Sequence, residues 1–257
     1  MVDRRGVHTL RFRVPHDPLL LQARNSAAFW AATGKARGDR VIHRPGYLAV
    51  VGGARSGTRV LIQEPGLDTT EVGEITALAR EAEGPVDLED PFSATELGHL
   101  GMRSWQMPVM SRAPGPAALP GLDGGETVRA LDPDSLAAAE RIVIDSFGLA
   151  RFQPHRPGDL FPPSLVEHED AVVHLALVDS RPAGACVSMF ADGVGSHYWV
   201  GTADAFRSRG VGRAVMLASL QDLQHQPLTL TASRLGRPLY ESLGYTAAGM
   251  STWYSST

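Results

Sequence analysis

One segment in the second half of the chain limits the possible folds more than any other. It reads Tyr198-Trp-Val-Gly-Thr-Ala-Asp-Ala-Phe-Arg-Ser-Arg-Gly-Val-Gly-Arg-Ala-Val215, so a predicted strand runs through a loop with two glycines directly into a predicted helix. The first backbone N–H groups of a helix have no acceptor within the helix and lie at the positive end of its dipole. The segment therefore predicts a site for a phosphate-type anion.

The composition of this loop strengthens the prediction. Arg207, Arg209 and Arg213 concentrate positive charge in a chain whose formal net charge is −4. Gly210 and Gly212 lack side chains, so a pyrophosphate can come close to the backbone. Because the positive charge is local and the chain as a whole is acidic, we expect a phosphate-bearing small molecule and no nucleic-acid partner.

Three kinds of nucleotide-binding loop could explain this pattern, and the alternative is an ordinary solvated basic turn. A P-loop ends in Gly-Lys-Ser/Thr, which the segment lacks. The dinucleotide fingerprint needs Gly or Ala where Val215 stands, and a parallel βαβ setting. The third pattern, Arg-x-x-Gly-x-Gly, is formed by Arg207, Gly210 and Gly212. It resembles the pyrophosphate loop of the GNAT superfamily of acyl-CoA-dependent N-acyltransferases.

The elements predicted around the loop have the order of a GNAT domain. Hydrophobic spacing and turn residues predict helices at 131–147, 162–169, 210–223 and 237–243, and strands at 172–178, 183–190, 196–202, 228–232 and 246–254. The stretch Gly236-Arg-Pro-Leu-Tyr-Glu-Ser-Leu-Gly-Tyr245 resembles the second motif of the superfamily, an aromatic-rich helix that ends in Leu-Gly-aromatic. The resemblance covers about half of the chain, from Glu126 to Thr257.

The resemblance implies a site for acetyl-CoA as the acyl donor. Backbone groups of Val200, Gly201 and Thr202 correspond to those that bond the pantetheine arm, and an N–H near Val200 to the one that polarises the thioester carbonyl. Ser233 stands where many relatives have a pantetheine-bonding Asn. The pyrophosphate would be held beside Arg207 by the backbone N–H groups of Ser208, Arg209, Gly210, Val211, Gly212 and Arg213.

The resemblance also assigns a general acid. Tyr240 matches the position of the tyrosine that protonates the departing CoA thiolate in many relatives; its alternative role is ring packing. The position of a general base found in some relatives is here Leu228, which leaves His197, His174 or Glu167 as candidates.

Cys186 lies within a predicted strand. We expect it to be a small buried side chain and not a nucleophile. The implied reaction is therefore direct attack by an amine on the thioester in a ternary complex. The main alternative is a module that binds acyl-CoA without turnover, and the missing strand-five Glu favours it slightly.

The first half ends in a pattern similar to the end of the second half. A Pro/Gly-rich linker at 112–126 separates residues 1–111 from 127–257. Three short matches support a duplication: Pro85–Leu88 with Pro227–Leu230, His99–Gly101 with Ser242–Gly244, and Met107 with Met250. The fold class predicted is α/β (α+β), with two tandem GNAT-like domains, each a mixed, mostly antiparallel sheet flanked by helices.

In the first of these domains, hydrophobic patterns predict helices at 19–36 and 71–83 and strands at 47–51, 58–63 and 85–88. This domain is predicted to be degenerate. Its segment Pro65–Thr70, equivalent to the cofactor loop, carries Asp68 and no arginine, and Leu97 takes the place of Tyr240. We expect it to pack, with Phe29 and Trp30, against the active half and to wall the acceptor site.

The remaining composition fits a cytoplasmic protein. Cys186 is the only cysteine, so an intrachain disulfide is excluded. No stretch reaches the roughly 20 apolar residues of a membrane helix, and the charged start has no apolar segment of a secretion signal behind it. We expect a small-molecule or peptide amine as acceptor, no membrane partner and no metal.

Overall fold

Eleven strands pair into one continuous sheet in a computed structural model that describes residues 17–256. The strands are β1 (Arg40–His43), β2 (Tyr47–Val51), β3 (Thr58–Ile62), β4 (Val86–Asp90), β5 (Arg103–Arg112), β6 (Gly125–Arg129), β7 (Ala171–Val178), β8 (Arg181–Ala191), β9 (Val194–Thr202), β10 (Leu228–Thr231) and β11 (Thr246–Ser255). Their order in the sheet is β1-β2-β3-β4-β11-β5-β10-β9-β8-β7-β6. Only β3 with β4 and β9 with β10 run parallel. The predicted fold class, a mixed and mostly antiparallel sheet flanked by helices, is confirmed.

The described part of the chain has five α-helices, which lie on the two faces of this sheet. They are α1 (Pro18–Arg37), α2 (Thr69–Glu81), α3 (Pro133–Ser146), α4 (Val211–Leu223) and α5 (Arg237–Ser242). Alternate strand residues face opposite sides, so β2 sends Leu48 and Val50 into one core with α1 and α3, and Tyr47 and Ala49 into another with α2. α4 and the Tyr240 ring form a further core on β7 and β8. No helix among residues 17–256 is long and apolar enough to cross a membrane.

The helix ends follow from local sequence. Asp17 accepts a hydrogen bond from the Leu19 N–H at 2.9 Å and Pro18 occupies the first turn, which together start α1. Asp132 forms the same kind of cap for α3. The segment predicted as a helix at 162–169 is a short 3₁₀ turn, Pro163–Glu167.

The two halves exchange their last strands. β5, from the first half, lies between β10 and β11 of the second half, while β11 lies between β4 and β5. At the centre, Met107 is opposite Ser251 and Met250 is opposite Pro108. The two sheets predicted for separate halves are therefore joined into one, because strand edges at this junction pair with the other half.

Three strands were absent from the sequence prediction: β1, β5 and β6. β5 contains Pro108, and a proline usually excludes a central strand because it cannot donate to the ladder. The Pro108 carbonyl accepts the Ala232 N–H at 2.9 Å. Because the nitrogen and the oxygen of one strand residue point to the same side, the Pro108 nitrogen also faces β10, which ends at Thr231. The missing donor therefore falls at the end of the β5–β10 ladder, where it removes only the reciprocal bond to Ala232.

Candidate active site

β9 and β10 open apart at the centre of the sheet. They are paired only at Gly195 with Leu228 and at Ser196 with Thr229. β10 ends at Thr231, whereas β9 continues to Thr202. The strands therefore leave a gap beside the end of β9.

A bulge in β9 sets the direction of its backbone groups at this gap. Trp199 and Val200 both stand opposite Cys186, and Trp199 has a φ of +55°. The Ala203 N–H donates to the Ala183 carbonyl of β8 at 2.9 Å. Since alternate residues of an antiparallel strand bond the same neighbour, the N–H groups of Val200 and Thr202 point away from β8 and into the gap.

The start of α4, where the sequence predicts an anion site, has free backbone donors. Gly210 caps the helix with a φ of +81°, which glycine adopts without strain. Among residues 17–256, the six consecutive backbone N–H groups from Ser208 to Arg213 have no acceptor, and the following N–H, of Ala214, donates to Gly210 at 2.9 Å. Six free donors at a helix start form a strong site for an anion.

The three arginines of the loop are exposed and only partly neutralised. Arg207 pairs with Asp204 at 2.8 Å, and Arg213 donates to the Ser242 hydroxyl at 2.9 Å. The Arg209 guanidinium lies 5.3 Å from the centre of the Phe206 ring. The loop therefore keeps positive charge next to its free donors.

A cavity of about 870 Å³ occupies the gap and extends beneath it. Seven predicted site residues line it: Val200, Gly201, Thr202, Arg207, Gly212, Ser233 and Tyr240. The other five, Ser208, Arg209, Gly210, Val211 and Arg213, belong to the loop and first helical turn that adjoin Gly212. The Ser233 hydroxyl accepts the Gly236 N–H at 3.1 Å and so supports the start of α5.

Tyr240, the predicted general acid, lines this cavity. Its side chain is buried, with 8% of the residue exposed, and its ring packs edge-on to Tyr245 at 6.2 Å. Burial raises the pKa of the phenol, so the group is protonated at neutral pH. No residue between 17 and 256 hydrogen-bonds to its hydroxyl, which leaves the proton available to a ligand.

Of the three candidate bases, only His197 lines the cavity. Its Nδ1 is 2.8 Å from the Ser219 hydroxyl, and its Nε2 has no partner. Burial lowers the pKa of His197 to about 3 and that of His174 to about 4. Both rings are therefore neutral at pH 7. Cys186 is fully buried, and burial raises the pKa of its thiol to about 12, which suits a packing role.

These histidines predict an acid-sensitive fold. A histidine buried in its neutral form keeps its full stabilisation above a pKa of about 6.5, and loses it as pH falls from there toward the folded value, by about 1.4 kcal/mol per pH unit. Lowering the pH from 6.5 to 5 should thus cost about 2 kcal/mol for each of the two histidines. Urea unfolding across this range measures it. His197→Gln should remove the loss of stability that His197 causes, about 2 kcal/mol between pH 6.5 and 5. The matched variant His225→Gln, at an exposed site, should leave the pH dependence unchanged. An unchanged pH slope in His197→Gln contradicts this account.

The first half supplies the wall of the cavity opposite the second-half residues. The sequence predicted that this half would wall the acceptor site, but of the lining residues it named only Trp30. The contributions of this half come from Gln22, Trp30, Arg59, Glu89, Trp105 and Met107, with Trp253 of β11 beside them. All four tryptophans of the chain line this one cavity. No local pattern marks these residues, because they lie on five different elements that meet only in the folded chain.

The helix start in the first half that was aligned with α4 is closed by the protein itself. Asp68 caps α2 by accepting the Glu71 N–H at 2.8 Å, and the Glu71 carboxylate accepts the Gly46 N–H at 2.7 Å. A side-chain carboxylate thus occupies the position that a phosphate takes at an open helix start. Leu97, aligned with Tyr240, is fully buried.

Comparisons with known proteins agree with this geometry. The family described as acetyltransferase (GNAT) domain matches residues 120–238. Among solved structures, a GCN5-related N-acetyltransferase from Kribbella flavida has a TM-score of 0.61 at 20% identity, over 89% of this chain and 94% of its own. One from Sphaerobacter thermophilus has a TM-score of 0.52 at 17% identity, over 92% of each chain. No curated protein matches the chain.

The two kinds of comparison answer different questions. The structural neighbours, at 17–20% identity, share the fold of nearly the whole chain, including the first half. The family match is confined to the part that holds the Arg207–Arg213 loop and the opened strands. Residues 120–238 of this chain therefore match the family described as acetyltransferase (GNAT) domain, and nearly the whole chain shares the fold of GCN5-related N-acetyltransferases.

Proposed function

We propose that the chain transfers an acyl group, acetyl in the first place, from acyl-CoA to an amine by direct attack in a ternary complex. The observation that carries the proposal is the set of six free N–H groups from Ser208 to Arg213, at the mouth of a cavity that also contains Tyr240. A cofactor with a pyrophosphate at one end and a thioester at the other fits this arrangement, because the pyrophosphate would meet the free N–H groups and the thioester would lie in the cavity with Tyr240.

Each predicted residue has a role in this arrangement. The free donors of the loop, with Arg207, bind the pyrophosphate. The N–H groups of Val200 and Thr202, which point into the gap, bond the pantetheine arm, and that of Val200 stabilises the oxyanion that forms on the thioester carbonyl. Ser233 adds a hydrogen bond to the arm, Gly212 leaves room for it, and Gly201 lets Ser146 of α3 pack closely behind β9, since a Cβ at Gly201 would lie 2.5 Å from the Ser146 Oγ. Tyr240 protonates the CoA thiolate as it leaves.

The first half is proposed to hold no cofactor. Among the described residues, both halves contain in order a helix, three strands, a helix, a strand, a short helical segment and a last strand, and the second half has β6 and three further 3₁₀ turns in addition. This order supports the division into 1–111, a linker at 112–126, and 127–257. Asp68 and Glu71 occupy the start of α2, so an incoming pyrophosphate would meet negative charge. We infer that this half serves as the wall of the acceptor site.

An assay for CoA release tests the function and separates it from acyl-CoA binding without turnover. We expect acetyl-CoA to be consumed in the presence of a suitable amine, at a rate that depends on the concentration of that amine. A panel of amino acids, amino sugars, polyamines and peptides, monitored for both free CoA and acetylated product, provides the measurement. Tight acetyl-CoA binding without turnover for any amine would identify a sensor instead.

A further inference from the structure

The first-half end of the cavity is a separate polar region. Glu89 of β4 is directly opposite Trp253 of β11, and Trp253 is opposite Trp105 of β5. All three line the cavity, together with Arg59 of β3. Adjacent strands are about 4.8 Å apart, so β4 lies three spacings, roughly 14 Å, from β10. This region is therefore too far across the sheet to contact the thioester, and it is placed to bind the far end of the acceptor.

Two hydrogen-bond donors in this region have no partner among residues 17–256. Arg59 is 9% exposed; its Nη2 is 3.2 Å from Asp87 Oδ2, but its Nη1 is buried without an acceptor. The indole Nε1 of Trp253 is likewise unpaired. The Arg59 guanidinium lies 5.5 Å from the Trp253 ring centre and 4.1 Å from that of Trp30. A buried donor without a partner is costly, and two side by side indicate an acceptor group that is supplied by a ligand.

The charges around these donors favour an anion. Arg59 and Arg151 both pair with the single carboxylate of Asp87, each at 3.2 Å. Glu89 is 2% exposed, and burial raises the pKa of its carboxyl, which favours the neutral form. Its Oε2 accepts from the Ser26 hydroxyl at 2.9 Å, and its Oε1 has no partner. The Asp87 carboxylate therefore serves two guanidinium groups, which leaves Arg59 Nη1 for a further acceptor.

The walls next to these donors are flat and aromatic. Trp105 and Trp253 stack with ring centres 6.4 Å apart, and Trp30 meets Trp199 edge-on at 5.8 Å. A guanidinium is well matched to a carboxylate, to which it offers donors in one plane. Polyamines fit poorly here, since a second ammonium group would meet the buried Arg59.

We propose, given the acyl transfer inferred above, that the acceptor is an amine that also carries a carboxylate, bound by Arg59 Nη1 and Trp253 Nε1 while its apolar body packs on the tryptophans. The substrate class is thus an amino acid or a related amino carboxylic acid. Its amine lies toward Val200 and Tyr240, at the other end of the cavity.

Tryptophan fluorescence provides a binding test that does not depend on turnover, because all four tryptophans line the cavity. The probes are the amino acids, each paired with its decarboxylated amine and its amide, for example phenylalanine with phenethylamine and phenylalaninamide, in the presence of CoA. At least one amino acid should bind about tenfold or more tightly than its two partners. If no amino acid exceeds its decarboxylated partner, the inference is wrong.

Variants assign the effect to the proposed donors. The preference is the ratio of the affinity for an amino acid to that for its decarboxylated amine. In Arg59→Met this ratio should fall to about one, and in Trp253→Phe it should fall in part. Trp105→Phe, on the same wall but without the proposed contact, should keep it. Circular dichroism and unchanged acetyl-CoA affinity verify the fold. A full preference in folded Arg59→Met overturns the proposal, whereas carboxylate-dependent binding without acetylation of any amine supports it and refutes the acyl transfer.

Discussion

Gly212→Asp is expected to weaken acetyl-CoA binding by about 3 kcal/mol or more, roughly a hundredfold, while the fold persists. Gly212 lies in the first turn of α4 and has no positive φ, so a side chain there causes no backbone strain. A Cβ at this position would be 3.3 Å from the Thr202 hydroxyl and 3.7 Å from Leu239, both of which line the cavity. The new carboxylate therefore projects into the space of the pantetheine and pyrophosphate.

The effect has two physical parts, which matched variants separate. Bulk blocks the close approach of the cofactor to the backbone, and negative charge occupies the free N–H groups, as Asp68 does at α2. Gly212→Ala adds only the Cβ, and Gly212→Asn adds the shape of aspartate without its charge. We expect affinity to decrease in the order Gly, Ala, Asn, Asp.

Calorimetry on the four proteins measures both affinity and stoichiometry, with circular dichroism as the folding control. The intact chain should bind one acetyl-CoA, because the start of α4 is open and the start of α2 is capped. Two equivalents would show that the first half retains a site. Undiminished binding by folded Gly212→Asp would place the cofactor elsewhere.

Tyr240→Phe is expected to lower the turnover number by about 10²-fold or more, with acetyl-CoA affinity nearly unchanged. The substitution keeps the ring that packs on Tyr245 and removes only the hydroxyl, which has no partner to lose among residues 17–256. Without a proton donor, CoA must leave as a free thiolate, and the barrier for breakdown of the tetrahedral intermediate rises.

Tyr245→Phe is the matched control. Its hydroxyl is also buried and unpaired, its ring is 6.2 Å from that of Tyr240, and it does not line the cavity. Steady-state and single-turnover rates on all three proteins decide the matter. Equal single-turnover rates for Tyr240→Phe and the unaltered chain would remove Tyr240 from the mechanism.

The loop from Arg207 to Arg213 shows which features can be predicted from the sequence alone. Its glycines, its arginines and the helix that follows are all local features, because a helix start leaves its first N–H groups free whatever lies around it. The structure accordingly shows the free donors where the pattern predicted them. The same locality explains why α1, α2 and the strands β7 to β9 were predicted close to their true bounds.

β5 is an element that local sequence does not predict. Its sequence, interrupted by Pro108 and bounded by Arg103 and Arg112, does not identify a central strand, and its partners β10 and β11 lie more than a hundred residues away. The candidate bases show the same limit. His174 and His197 are both strand residues, and only the opening of β9 from β10 places one of them at the cavity.

The sequence by itself therefore determined the free donors and positive charge at the start of α4, the positions of most helices and strands, and the place of Tyr240 in α5, since each depends on neighbours within a few residues. The tertiary structure alone decided that the halves exchange β5 and β11, and that Arg59, Glu89 and the four tryptophans meet in one cavity. The physical reason is that strand partners are chosen by contacts between segments far apart in the chain, and hydrophobic periodicity contains no record of which segments those are.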